Sequence, residues 1–253
     1  MSVYIYGRNP VKAALLSGKR PVYKLLMQKG IQGAVVEEIR EMASRIQLPV
    51  EVMEKRFLQK ITGDRAKHQG VVLFCEPYQP VDWKTIRNRV LEKKNGIVVF
   101  IDSVEDPRNL GAIIRTASVL GVDGVILSKA HSAPLDSEVM KTAAGEMEKL
   151  DIAQVNNFSE VLNDFSENGF WLVALEANGD KDLWDLDMIR IPIGIVVGGE
   201  SRGIRPLVSS RCDFHARIPM VGTANSLNVS VAFGIALYEV IRQKGGSRCD
   251  PEK

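Results

Sequence analysis

From residue 96 onward, short β-branched apolar runs alternate with stretches of helical spacing, and this order constrains the fold more than any other feature. The runs 97–102, 124–127, 171–175 and 193–197 are rich in Val and Ile. They fit strands buried on both faces rather than strands with one wet side. Between them, 109–120, 137–144 and 158–167 carry helical patterns. A repeated strand–helix order predicts an α/β fold whose parallel sheet is covered on both faces. No internal repeat or low-complexity segment is visible.

In open sheets of this kind, ligands sit beyond the carboxyl ends of the strands. Two of the buried runs end in segments with chemical character. The first passes from Asp102 into Asp106-Pro107-Arg108-Asn109, where a helix begins, with Arg115 six residues further on. At 100° per residue the side chains of Asn109 and Arg115 converge only loosely. Asn109 reads equally as a helix cap, and Arg115 as a surface ion pair with Glu105 or Asp123. The second run leads into Gly198-Gly199-Glu200-Ser201-Arg202-Gly203. Glycines there permit close backbone approach to a ligand. The pattern is not GxGxxG and has no acidic residue at the spacing a nicotinamide site needs.

A third segment, Ile218 to Ala232, ends a small-residue loop at Ser226-Leu227-Asn228 and opens an apolar helix through Ala232, Ile235, Ala236, Glu239 and Val240. That helix end offers unpaired N–H groups beside hydroxyl and amide side chains. It suits a carboxylate, a ribose or a base edge, and by itself it fits an ordinary capped helix equally well.

Residues 1–77 form a smaller α/β pattern. Strands are predicted at 22–27, 50–52 and 70–74, and helices at 10–16 and 33–46, the latter with Val36, Ile39, Ala43 and Ile46 on one face. This segment holds 13 Lys and Arg against 7 Asp and Glu, whereas the remainder holds 20 against 24. A basic front half points to a polyanionic partner. Arg8, Asn9, Lys12, His68 and Gln69 are the candidate contacts. Asn9 as a helix cap and His68-Gln69 as a structural turn are the competing readings. The expected layout is a substrate-binding domain over 1–77, a linker over 78–95 opening at Pro77-Tyr78-Gln79-Pro80, a catalytic domain over 96–245 and a flexible tail over 246–253.

Three widely spaced cysteines and three scattered histidines give no zinc or disulfide pattern, and no metal is expected. No apolar stretch approaches the roughly 18 residues of a membrane span, and no secretory signal is visible. A cytoplasmic location is expected.

Together the three segments resemble the three motifs of the SpoU family of RNA ribose 2′-O-methyltransferases, part of the SPOUT superfamily, over residues 97–242. The front unit resembles that family's substrate-binding domain in Tyr6-Gly7-Arg8-Asn9-Pro10-Val11 and His68-Gln69-Gly70-Val71. The layout is most similar to the RlmB-like bacterial branch that methylates a guanosine of 23S ribosomal RNA. The resemblance implies a SPOUT domain with a C-terminal trefoil knot, beside a small N-terminal α/β (L30e-like) substrate-binding domain. It implies S-adenosylmethionine as cofactor, RNA as substrate and a homodimer in which first-motif residues reach across the interface. It places Asn109, Arg115, Glu200, Ser226 and Asn228 at the catalytic centre, and Gly198, Gly199, Ile218 and Leu227 around the cofactor. Arg115 is then either the general base or a charged group that grips phosphate and the developing alkoxide. One departure is Glu146 after Ala143-Ala144-Gly145, where the family commonly has a small residue. Transfer RNA is the alternative substrate, and a non-catalytic RNA-binding relative is the alternative from another class.

Overall fold

The computed structural model describes residues 3–64, 66–93, 95–188, 191–200, 202–223 and 225–245 of the 253-residue chain. The expected tail at 246–253, like motif residues Ser201 and Ala224, lies outside the described residues. Contacts divide the chain into two units: Met1–Gln79 with Pro134–Lys149, and Pro80–Ala133 with Leu150–Lys253.

The first unit opens with β1 (Val3–Tyr6), α1 (Arg8–Ser17), β2 (Val22–Gln28), α2 (Ala34–Arg45), β3 (Val50–Met53), α3 (Lys55–Thr62) and β4 (Val71–Cys75). The strands form a mixed sheet in the order β1-β4-β2-β3, antiparallel except for β2 with β3. Val36, Ile39 and Ala43 of α2 are buried as their spacing predicts, whereas Ile46 is exposed because the helix ends one residue earlier. The Pro134–Lys149 segment adds α6 (Ser137–Thr142), which stops short of the expected 144. Ala144 (φ 54°) and Gly145 (φ 92°) turn left-handed there, a conformation that ends a helix. Glu148 forms a buried ion pair with Arg20 and also accepts from Ser17 Oγ (3.3 Å). Arg20 further donates to the Glu76 carbonyl (3.2 Å), so the buried charges are hydrogen-bonded as well as paired. Glu146 sits in the 3-10 turn before Glu148 and pairs with Lys149 at 2.7 Å.

The second unit contains α4 (Trp83–Leu91), β5 (Ile97–Asp102), α5 (Pro107–Val119), β6 (Gly124–Ser128), β7 (Ile152–Val155), α7 (Phe158–Glu167) and β8 (Trp171–Leu175). It continues with β9 (Lys181–Asp182), β10 (Ile193–Gly198), α8 (Pro206–Ser209), β11 (Phe214–Arg217) and α9 (Val229–Gln243). All seven strands are parallel, in the order β7-β6-β5-β10-β8-β11-β9. Every residue of β5, β6 and β10 is buried, as expected of strands covered on both sides. On one face Val98, Phe100, Ile126, Leu172 and Val196 pack with residues of α4, α7 and α8. Val99, Ile101, Leu127, Val173 and Val197 alternate to the other face. There α9 reaches β8 and β10 and packs on α5. The chain runs outward from β5 through β6 to β7, then returns to β8 on the far side of β10. The carboxyl ends around β10 therefore lie at a topological switch point.

Phe165 stands edge-on to both Phe100 (centroids 5.1 Å apart) and Phe170 (4.8 Å), locking α7 to the sheet. Phe165→Ala is expected to destabilise the second unit by about 3–5 kcal/mol. Chemical denaturation followed by Trp fluorescence measures this, and a loss below about 1 kcal/mol contradicts the packing described.

Candidate active site

Three strand ends and the start of α9 surround a cavity of about 590 Å³. One wall is Leu175 to Asn178, directly after β8. A second is the turn after β10, with Gly198, Gly199, Glu200, Arg202, Gly203 and Ile204. The third is the loop from β11 to α9, with Ile218, Met220, Ser226, Leu227 and Asn228.

The glycine turn is set by close approach of one backbone to another. A Cβ on Gly198 would fall 2.1 Å from the carbonyl carbon of Gly203, and one on Gly199 would fall 2.2 Å from the carbonyl oxygen of Ser103. Gly203 itself is left-handed (φ 64°) and donates to the Gly199 carbonyl at 2.9 Å. Behind the turn, Arg205 holds the buried carboxylate of Asp102 at the end of β5. Its backbone N–H donates at 2.9 Å and its Nε at 2.8 Å, while Nη2 reaches Ser128 Oγ (3.2 Å) at the end of β6. Asp102 and Arg205 thus tie three strand ends together.

Asn109 in the first turn of α5, Glu200 in the turn after β10 and Asn228 at the cap of α9 form one line of hydrogen bonds. Asn228 caps α9: its Oδ1 accepts from Ser230 N–H (3.0 Å), Ser230 Oγ (2.6 Å) and Val231 N–H (3.4 Å). The Asn228 amide nitrogen is thereby turned outward and donates to Asn109 Oδ1 at 3.0 Å. Asn109 in turn donates from Nδ2 to Glu200 Oε1. Amide orientation is unambiguous here, because helix N–H groups require an acceptor and the carboxylate requires a donor. Asp106, not Asn109, caps α5, accepting from Arg108 N–H at 2.8 Å.

Gly198, Gly199, Ile218, Leu227, Ser226, Glu200 and Asn228 all line the cavity, and Asn109 joins them through Glu200 and Asn228. Arg115 does not. It lies about 9 Å further along α5, exposed, with no hydrogen bond or ion pair among the described residues. Glu176 is a cavity residue that the motif analysis missed, although it directly follows the apolar run 171–175. Its Oε2 meets His215 Nδ1 at 2.8 Å, and Ser209 Oγ lies 3.3 Å from the same nitrogen. Asp102 and Arg205 were also missed as positioning residues, and no local pattern joins positions so distant in sequence. Burial pushes the thiols of Cys75 and Cys212 up, the latter to about 12, which disfavours the thiolate form. No cluster able to hold a metal ion occurs among the described residues, and no described helix is long and apolar enough to cross a membrane.

In the first unit Arg8 and Gln69 are joined. Arg8 N–H donates to Gln69 Oε1 (3.1 Å), and its guanidinium reaches the carbonyls of Gln69 and Gln32 (3.4 Å each). His68 is only 4% exposed, and its Nδ1 accepts from Gly70 N–H (3.0 Å). Burial, then Lys55 and Lys141, push its pKa below the ordinary value, consistent with a neutral ring. Gly7, not Asn9, occupies the cap position of α1; Asn9 is exposed on the helix, and Lys12 pairs with Glu38.

Known proteins match both units. A model of the SpoU rRNA methylase family covers residues 96–238, and a model of RNA 2′-O ribose methyltransferase substrate binding covers 4–81. A Staphylococcus aureus protein named as a TrmH family tRNA/rRNA methyltransferase is 38% identical over 241 residues, 95% of this chain and 96% of its own. The SpoU methyltransferase AviRb from Streptomyces viridochromogenes, in complex with AdoMet, superposes with a TM-score of 0.81 at 26% identity, covering 98% of this chain and 92% of that one. An AdoMet-bound rRNA methyltransferase from Sinorhizobium meliloti gives 0.77 at 27%, covering 95% and 87%. The C-terminal trefoil knot is expected for this fold. With a family model on each unit and a relative matched over nearly the whole chain, the chain belongs to the SpoU family of RNA methyltransferases.

Proposed function

We propose that this chain methylates a ribose 2′-hydroxyl of RNA, at a guanosine of 23S ribosomal RNA, with S-adenosylmethionine as methyl donor and in the cytoplasm. The observation that carries the reading is the Glu200–Asn109–Asn228 line on the rim of a cavity bounded by three strand ends. The cavity suits the cofactor. Its volume lies within the roughly 300–1,000 Å³ of small-molecule sites, and Gly198, Gly199 and Gly203 line it without side chains to fill it. Ile218, Met220 and Leu227 offer apolar contact for a purine, while Glu176, Asn178 and Ser226 offer partners for hydroxyl and ammonium groups. When bound, S-adenosylmethionine supplies a methyl group already activated on a sulfonium.

The remaining task for the protein is to place a ribose hydroxyl and stabilise the charge that develops on its oxygen. Ser226 and Asn228 hold the ribose, and Glu200 fixes the orientation of the Asn109 amide beside them. Arg115 lies too far along α5 to serve the cavity of its own chain. Its helix packs on α9, which lines an apolar groove of about 440 Å³ with Trp184, Val231, Ile235 and Tyr238, the last 63% exposed. A second copy of the chain covering this face would bring Arg115 to the neighbouring site. There a guanidinium, which stays protonated in proteins, grips phosphate and steadies the alkoxide.

Ribosomal RNA is favoured over transfer RNA by the extent of the likenesses. The S. meliloti rRNA methyltransferase covers 95% of this chain. An enzyme solved for 2-OH methylation of C/U34 on tRNA covers 61%, and the A. aeolicus TrmH/SpoU tRNA modifying enzyme covers 64%.

Two measurements test these proposals. Labelled methyl from S-adenosylmethionine is expected in 23S rRNA rather than tRNA, at a nucleotide whose 3′ linkage resists alkali because its 2′-oxygen is blocked. Label on a base, or in tRNA alone, contradicts the assignment. Arg115→Ala and Asn109→Ala chains, each expected to lose transfer by roughly 10²-fold or more, should regain it when co-expressed, since mixed dimers rebuild one site. An inactive mixture contradicts the shared site.

A further inference from the structure

The first unit has a cavity of its own, of about 590 Å³, between α3, the end of β2 and the loop before β4. Arg8, Lys55 and Lys67 supply three cations to its lining, against one carboxylate, Asp64. Lys55 and Lys67 are exposed and have no ion-pair partner among the described residues. Arg8 spends its guanidinium on main-chain carbonyls, so its charge too is unmatched by any described carboxylate. Lys141 adds a fourth cation beside them, donating to Gln69 Oε1 at 2.8 Å. Uncompensated cations held this close repel one another unless an anion joins them.

The interior differs from the rim. Ile31 and His68 are buried among the lining residues, and the side-chain amides of Gln28 and Gln59 have no partner among the described residues. The loop is held by two successive left-handed residues, Gln69 (φ 53°) and Gly70 (φ 80°). A Cβ on Gly70 would fall 2.3 Å from Ile31 Cδ1, so the loop stays close to this apolar contact only because the position is glycine. A non-glycine residue kept left-handed beside a cavity marks a constrained rim.

A cationic rim, a floor with Ile31 and the His68 ring, and free amides match one ligand class. Phosphate takes the lysines, a base face packs on Ile31 and the His68 ring, and a base edge pairs with amide groups. A smooth A-form duplex presents phosphates but nothing to enter a concavity, whereas a loop or bulge presents a base that can be splayed out. We propose that this cavity receives a single unpaired nucleotide of the RNA substrate, with Lys55 and Lys67 on its phosphates and Gln28 and Gln59 reading its base. The inference rests on the RNA-methylating function proposed above. It concerns a docking nucleotide distinct from the one that is methylated.

The test uses the full chain and 23S rRNA transcribed with 4-thiouridine. Photo-cross-linked peptides are expected within 55–70. The Lys55→Glu/Lys67→Glu double variant should bind the transcript at least about tenfold more weakly, and its log-affinity should depend less steeply on log salt by about 1.4, for two contacts to a single strand. Cofactor affinity by calorimetry should not change. Gln59→Ala should weaken binding to a fragment carrying the cross-linked loop, but not to the same fragment with an abasic site at the cross-linked nucleotide. Adducts confined to other segments, or a double variant that binds within twofold of the parent with the same salt slope, would overturn the proposal. Failure of the parent chain to transfer methyl to any RNA would instead strike the proposed function, which this set of variants does not address.

Discussion

The unpaired N–H groups at the start of α9 determine the polarity of the candidate site. They demand an acceptor, and Asn228 Oδ1 supplies it. The rest follows by exclusion, since an amide has one acceptor end and one donor end. Asn228 must face Asn109 with its NH2, Asn109 must answer with its carbonyl oxygen, and its own NH2 is left for Glu200. A helix cap, usually counted as a stability device worth about 1 kcal/mol, here aligns side chains 119 and 91 residues apart in sequence.

Rigidity beneath this line comes from the sheet. Asp102 is fully buried at the end of β5, and Arg205 answers it from beyond β10 while also reaching β6. Removing Arg205 would leave the buried Asp102 carboxylate without its charged partner, whereas Arg205 itself is partly exposed. The glycine turn is therefore pinned on one side by an ion pair and on the other by backbone contact at Gly198 and Gly199. The groups facing the cavity are held before any ligand arrives, which is the preorganisation that charge stabilisation requires.

Much of this was legible in the sequence because burial on both faces leaves an unmistakable apolar run. Strands β5, β8 and β10 and helix α7 fall where their patterns placed them, within a residue. Strand β11 was not legible. Its residues Phe214-His215-Ala216-Arg217 have mixed polarity, and only Ala216 is buried; it is a strand because β8 offers a free edge. Helix α3 was missed because it buries a single side chain, Leu58. Within the site, the motif residues were readable from the three loops, but their order of donation was not. Glu176 directly follows the apolar run 171–175, at a strand end where ligands of such sheets sit. For His68 the sequence offered an RNA contact or a structural turn, and the structure places it largely buried, accepting from Gly70 N–H in a turn.

The measurement that most directly tests the central claim is a comparison of stability and methyl transfer in Asn228→Asp. Aspartate caps a helix as well as asparagine does, so α9 and the melting temperature should be preserved. It has no amide hydrogen to give Asn109, so the line to Glu200 breaks and transfer should fall by roughly 10²-fold. Transfer near the parent rate in a stably folded Asn228→Asp chain would contradict the account.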